Sequence, residues 1–200
     1  MGSVLVIGGG AAGLAAAIAA AECGDTVTVA EKMDRVGKKI LATGNGRCNL
    51  MNTGALRYPG NAAFAADVLS HCGAEAQKAF WEHLGLRLRQ EEAGRVYPVS
   101  SQASSVLDAL RLQLTALHVR VVTGVSITAL QRENDGWTAL SADGQRFRAN
   151  RVIISGGGCA QPKLGSDGSA LRLLTNLGCP ATTFAPALTQ IITDSTPIKG

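Results

Sequence analysis

Hydrophobic positions follow three different rhythms along this 200-residue chain. Residues 4–7 form a short unbroken apolar run that stops at glycines, the pattern of a strand buried on both faces. Residues 11–23 are Ala-rich and apolar on nearly every face, which predicts a buried helix closed by Gly24. Residues 26–30 read as a second strand, so about thirty residues contain one strand–helix–strand unit. The pattern is then lost over residues 32–60, which are irregular and rich in Gly and Asn. Residues 61–84 read as one or two helices, with Phe80, Trp81 and Leu84 as core positions. Val106, Leu107, Leu110, Leu114 and Leu117 share a helical stripe behind a Ser-rich cap at 100–105, and residues 119–122 predict a third parallel strand.

Beyond this point the period drops to two. Residues 125–132 alternate and end at Asn134-Asp135-Gly136, residues 137–142 follow, and Asp143-Gly144 leads into residues 145–149. Two turn signals between three short alternating runs predict a three-stranded antiparallel meander. Residues 151–155 return to a buried strand stopped by glycines, and a helix is expected over about 168–177. After Pro186 the chain becomes Thr/Ile-rich. This suggests two units, residues 1–185 and a second domain beginning at 186–200.

The motif Gly8-x-Gly10-x-x-Gly13 falls between the first strand and helix. Gly8 permits the tight turn, Gly10 lets backbone approach a pyrophosphate, and Gly13 lets helix and strand pack closely. A helix N-terminus there offers unpaired N–H groups and a partial positive charge to phosphate. Glu31 ends the second strand, twenty-one residues after Gly10, where a carboxylate accepts hydrogen bonds from a ribose diol and disfavours a 2′-phosphate. Together these predict dinucleotide binding without NADP.

Charge sharpens this picture. The chain carries 19 Lys and Arg against 15 Asp and Glu, a net +4. Residues 32–47 hold five basic residues (Lys32, Arg35, Lys38, Lys39, Arg47) against Asp34 alone, so the whole excess directly follows the nucleotide-binding unit and suits a diphosphate. The remaining residues are balanced, which speaks against a nucleic-acid surface. Apolar residues make up 46% and charged residues 17%, a globular composition. The 24 glycines are clustered, as tight turns require, and do not form a linker.

Five cysteines, at 23, 48, 72, 159 and 179, show no C-x-x-C spacing. They predict neither a disulfide framework nor a zinc site, and no metal centre is expected. Cys48 reads first as packing, with a redox or covalent role as the sharper alternative. His71, His83 and His118 read as surface or satisfied residues, and no catalytic residue is assignable. The uncharged residues 1–21 lack a basic n-region and are interrupted by glycines, so they predict neither a signal peptide nor a membrane span. A soluble, cytoplasmic chain is expected.

The stretch 31–49, EKMDRVGKKILATGNGRCN, stays irregular where a plain NAD-binding domain enters another helix, which suits backbone running beside a long extended ligand. With this stretch the chain resembles the BaiN-like, aminoacetone-oxidase-like family of bacterial FAD-dependent oxidoreductases. Four blocks carry the likeness: VIGGGAAGLAAA, GKKILATGNGRCNL, GRVYPVSSQASSVL, and RVIISGGG with GSDG soon after. The resemblance implies a Rossmann-like α/β FAD-binding domain of the glutathione-reductase type, with the antiparallel meander beside its parallel sheet. It implies that Gly8, Gly10, Ala11, Ala12 and Gly13 hold the pyrophosphate and Glu31 the adenosine ribose. Lys38, Thr43, Gly44, Gly46 and Asn49 would run along the diphosphate toward the flavin, joined by Lys32 from the basic segment. Val125 would meet adenine through its backbone, and Ser155, Gly156 and Gly157 would close over the nucleotide.

The implied activity is two-electron flavin chemistry on a small organic substrate, with a nicotinamide donor or oxygen as electron partner. The alternatives are a non-catalytic FAD-binding module or sensor and an FAD-dependent RNA-modifying protein. Family members are about twice as long, so this chain is expected to be an N-terminal fragment. It would end inside an inserted substrate domain, without the segment that returns to cover the flavin. No Cys-x4-Cys pair is present, which excludes a dithiol relay.

Overall fold

The computed structural model describes residues 1–54, 58 and 60–185. The expected second domain at 186–200 lies outside the described residues. Four parallel strands form the central sheet in the order β10-β1-β2-β6. They are β1 (Ser3–Ile7), β2 (Thr26–Glu31), β6 (Arg120–Thr123) and β10 (Arg151–Ile154). All three strands expected to join β1 are present. Alternation along β1 splits the core: Val4 and Val6 face one side, Leu5 and Ile7 the other.

Helices cover the first face. α1 (Ala11–Glu22), α2 (Lys38–Ala42) and α5 (Ala103–Ala116) bury Leu14, Ala17, Ile18, Ile40, Val106, Leu107, Leu110 and Leu114 against Val4, Val6, Val27 and Val29. The α5 stripe matches the sequence pattern, but its cap is Gln102, whose side chain accepts no backbone N–H of the helix. α1 ends as expected, with Gly24 left-handed at φ +88° and its N–H on the Ala21 carbonyl at 2.9 Å. It is not buried all round, however. Only Gly13, Leu14, Ala17 and Ile18 are buried, while Ala11, Ala12 and Ala19 are exposed. Alanine favours helix through its low side-chain entropy cost, so an Ala-rich face needs no cover.

The meander covers the second face. β7 (Ile127–Glu133), β8 (Gly136–Ser141) and β9 (Arg146–Ala149) pair antiparallel in that order. Val125, Ile127, Ala139, Phe147 and Ala149 pack on Leu5, Ile7 and Ala30, together with Leu173 of α6 (Ser169–Asn176).

Two further features depart from the sequence reading. The stretch after β2 contains the short helix α2 where only irregular chain was expected. A third sheet pairs β3 (Met51–Asn52), β5 (Arg95–Pro98) and β4 (Leu88–Gln90) antiparallel in the order β3-β5-β4. Between them α3 (Ala62–His71) buries no residue. α4 (Ala74–His83) rests Phe80 and Trp81 on the first core, their rings edge-on at 5.1 Å.

Candidate functional site

The C-terminal ends of β1, β2 and β10 open into a cleft of about 610 Å³, counting the solvent at its mouth. Its floor is the glycine turn between β1 and α1, and each glycine there has a different spatial reason. A Cβ on Gly8, whose φ is +108°, would lie 2.7 Å from Gly156 Cα. On Gly13 it would lie 1.9 Å from the Gly8 carbonyl oxygen, so helix and strand touch through that hydrogen. At Gly10 a Cβ meets nothing within 4 Å. Gly10 also begins α1, where no side chain caps the helix and no acidic residue stands in the first turn. Unpaired N–H groups therefore face open space, as a phosphate cradle requires.

Glu31 closes one side of the cleft. It is 9% exposed, and its carboxylate accepts from the Gly9 N–H at 2.6 Å and the Met33 N–H at 2.7 Å. A carboxylate has about four acceptor positions, so two remain for a ribose diol. Val125 also lines the cleft, but its N–H already donates to the Glu31 carbonyl at 2.9 Å. A contact to adenine at Val125 therefore falls to its carbonyl oxygen. Ser155 also lines the cleft, yet its hydroxyl bonds to the carbonyls of Ile7 at 3.1 Å and Gly8 at 3.0 Å. It clamps β10 to the glycine turn.

Of the residues singled out from the sequence, Gly8, Gly10, Glu31, Lys32, Lys38, Val125, Ser155 and Gly156 line the cleft. Gly13 lies beneath it in the helix–strand contact, while Ala11 and Ala12 are exposed on the first turn of α1. Thr43, Gly44, Gly46 and Asn49 lie outside it, on a turn that follows α2. In that turn Gly44, Asn45, Gly46 and Cys48 all have left-handed φ, from 54° to 81°. Gly157 is also outside the lining, where a Cβ would be 2.7 Å from both Lys39 Nζ and Ser166 Oγ.

The basic segment is less free than its sequence implies. Lys32 reaches Asp167 at 2.6 Å, Lys38 pairs with Asp34 at 2.5 Å, Arg47 pairs with Glu91, and Lys39 bonds to the Ser166 hydroxyl. Lys32 and an N–H and hydroxyl of Ser169 hold the Asp167 carboxyl well below the usual carboxylate range. Arg47 also lies over the Tyr97 ring, 4.1 Å from its centroid, which braces the 43–49 turn against β5. Cys48 is buried in the first core, and desolvation pushes its thiol up from the ordinary range. That is the environment of a packed hydrophobe.

Gly9, Met33, Lys39, Leu164, Gly165 and Ser169 line the cleft without having been singled out as ligands. The GSDG block was the available signal for the 164–169 wall, and the run of basic residues for Lys39. No group of three or more His, Cys, Asp or Glu among the described residues is arranged to hold a metal.

A parallel sheet with a glycine turn, an uncapped helix start and an acid at the end of β2 defines a Rossmann-type nucleotide-binding domain. The chain belongs to the HI0933-like family, whose Rossmann domain it matches over residues 2–185. The resemblance read from the four motif blocks therefore holds at family level. The 3-dehydro-bile acid delta(4,6)-reductase of Clostridium scindens is 44% identical over 196 residues, covering 96% of this chain and 47% of that protein. A ribosomal RNA dihydrouridine synthase of Haemophilus influenzae is 24% identical over 188 residues, 88% of this chain and 45% of that protein. The chain thus spans about half the length of the curated relatives it matches. Among solved structures, a flavocytochrome c3 fumarate reductase shares the fold at a TM-score of 0.62 and 17% identity, over 88% of this chain and 40% of that one.

Proposed function

We propose that this chain is the FAD-binding part of a flavin-dependent oxidoreductase acting on a small organic substrate. The observation that carries the reading is the open space before Gly10 at the uncapped start of α1, flanked by the buried Glu31 carboxylate. The first turn of α1 would hold the pyrophosphate, with Ala11 and Ala12 contributing backbone N–H groups. Glu31 would accept the ribose hydroxyls, and the Val125 carbonyl would meet the adenine amino group. Lys32 and Lys38 on the cleft rim add positive charge beside the diphosphate. The 43–49 turn, including Thr43, Gly44, Gly46 and Asn49, lies outside the cleft and would carry the ligand toward its flavin end. Gly156 and Gly157 would close over the nucleotide. When bound, FAD supplies two-electron chemistry at its isoalloxazine, while the protein binds, orients and tunes it.

Reduction of an activated C=C bond with a nicotinamide donor is the favoured reaction, supported by the 44% identical relative named as a reductase. An RNA substrate has support from relatives of only 23% and 24% identity. We place the edge of the nucleotide-binding domain at residue 185, which the extent of the family match supports. A cytoplasmic location is supported by the free cysteines, of which Cys23, Cys72, Cys159 and Cys179 are exposed. No helix among the described residues is long and apolar enough to cross a membrane.

The test is chromatographic. The purified chain should show flavin absorbance and release FAD on denaturation. Recovery of NAD with no flavin would overturn the proposal.

A further inference from the structure

One wall of the cleft is built as a separate loop. Residues 158–168 leave and rejoin the body at a neck where the Gly168 N–H donates to the Gly158 carbonyl at 3.1 Å. Inside the loop, the Ser166 N–H bonds to the Gln161 carbonyl at 3.0 Å. Close ends and internal bonding are the marks of an Ω-loop. Among the described residues, its side chains bond to two lysines of the body and to Ser169, whose N–H donates to Asp167 Oδ1 at 3.0 Å. Lys32 Nζ lies 2.6 Å from Asp167 Oδ1 and 3.0 Å from Ser169 Oγ, just past the neck, and Lys39 bonds to Ser166 Oγ. Gly165 sits on the same wall, where a Cβ would be 3.1 Å from Met33 Cγ. Leu164 and Gly165 face the cleft itself, so a ligand there lies under the loop.

We propose that residues 158–168 are a lid over the dinucleotide cleft, latched by the Lys32–Asp167 pair, and that opening this latch gates cofactor entry and exit. The gating half of this statement rests on the FAD reading above; the lid itself does not. The latch has the strength such a device requires. The two side chains are 22% and 43% exposed, so water and salt screen the pair and it opens without unfolding the domain. The neck bond and the internal bond stay intact while it does, which lets the loop move as one piece. Gly157 and Gly168, with φ of +79° and +80°, stand at its two ends.

The lid is tested first without cofactor. Ser166 is 1% exposed, so in a chain carrying Ser166→Cys that position is alkylated only when the lid opens. Its rate is read by peptide-resolved mass spectrometry and divided by the rate in urea, which removes local effects on thiol reactivity. Adding Asp167→Asn should raise the corrected rate about two- to fivefold, the range a screened ion pair supports, and Asp167→Glu should restore most of the slow rate. An unchanged corrected rate overturns the latch, whatever the cofactor does. The second arm follows FAD release by stopped-flow fluorescence in the chain without the cysteine. Asp167→Asn should speed release by a similar factor and abolish most of its acceleration by KCl. Faster alkylation with unchanged FAD release overturns the gating role. Faster alkylation in a chain that binds no FAD leaves the lid standing and overturns the functional reading instead.

Discussion

Within the motif, Gly10 and Gly13 are constrained by different partners and should fail in opposite ways when substituted. Gly10 has ordinary backbone angles (φ −82°) and no protein atom near its missing Cβ, so Gly10→Ala should fold as the wild type does. Its methyl would stand where the pyrophosphate is proposed to lie, so FAD affinity should fall at least tenfold. Gly13→Ala instead forces a methyl to 1.9 Å from the Gly8 carbonyl oxygen. It should destabilise the fold by about 1–3 kcal/mol, the usual range for overpacking. Urea titrations with and without FAD separate the two outcomes. The packing role of Gly13 was legible in the sequence because the spacing itself encodes it, and the role proposed for Gly10 comes from the same spacing. The commitments of Val125 and Ser155 were not, because they depend on which carbonyls the folded chain brings within reach. Cys48 gives a further test. Desolvation favours its neutral thiol, so its contribution to stability holds below the ordinary thiol pKa and is lost as pH rises through the raised one. Iodoacetamide at neutral pH should label Cys23, Cys72, Cys159 and Cys179 quickly and Cys48 far more slowly.

The central helix α5 shows how elements transmit order to the cleft. Leu110 is fully buried, and its helix packs on both α1 and α2, whose N-terminal ends stand at the cleft. Leu110→Ala should cost about 2–5 kcal/mol of unfolding free energy, measurable as a lower urea midpoint at unchanged slope. The α5 stripe was legible because five apolar side chains repeat at helical spacing. The sheet of β3, β4 and β5 was not. β3 spans two residues, β4 three, and β5 ends in Pro98, a residue that sequence rules assign to strand edges. The fold keeps that rule: Pro98 pairs with Leu88 of β4 alone, because β3 pairs only as far along β5 as Val96, and Tyr97 beside it braces the 43–49 turn. The short α2 escaped for a related reason. Lys38–Ala42 is too brief to show a period, and its start at the left-handed Gly37 reads as a turn.

At the scale of the whole molecule, one sheet separates two cores, and the cleft opens where the strands β10, β1 and β2 end together. Charge follows the same plan in sequence but not in space. Three of the five basic residues of 32–47 pair in the fold with Asp34, Glu91 and Asp167, so the segment makes a partly neutralised rim and not a bare cationic patch. This arrangement predicts which part of a ligand does the stabilising. The described cleft offers partners for a diphosphate, a ribose diol and an adenine edge: the start of α1, the two remaining acceptor positions of Glu31, and the Val125 carbonyl. ADP should therefore raise the melting temperature of the chain, while riboflavin, which lacks the diphosphate and the adenine, should leave it near the unliganded value. The rise follows mass action, so ADP at a hundred times its Kd should add about 2.7 kcal/mol of stability. NADP should stabilise much less than NAD, because a 2′-phosphate would meet the Glu31 carboxylate as a like charge in a largely buried position. A thermal-shift series with ADP, riboflavin, NAD and NADP measures all four. Stabilisation by riboflavin without ADP would place the recognition outside the glycine turn and sink this account of the cleft.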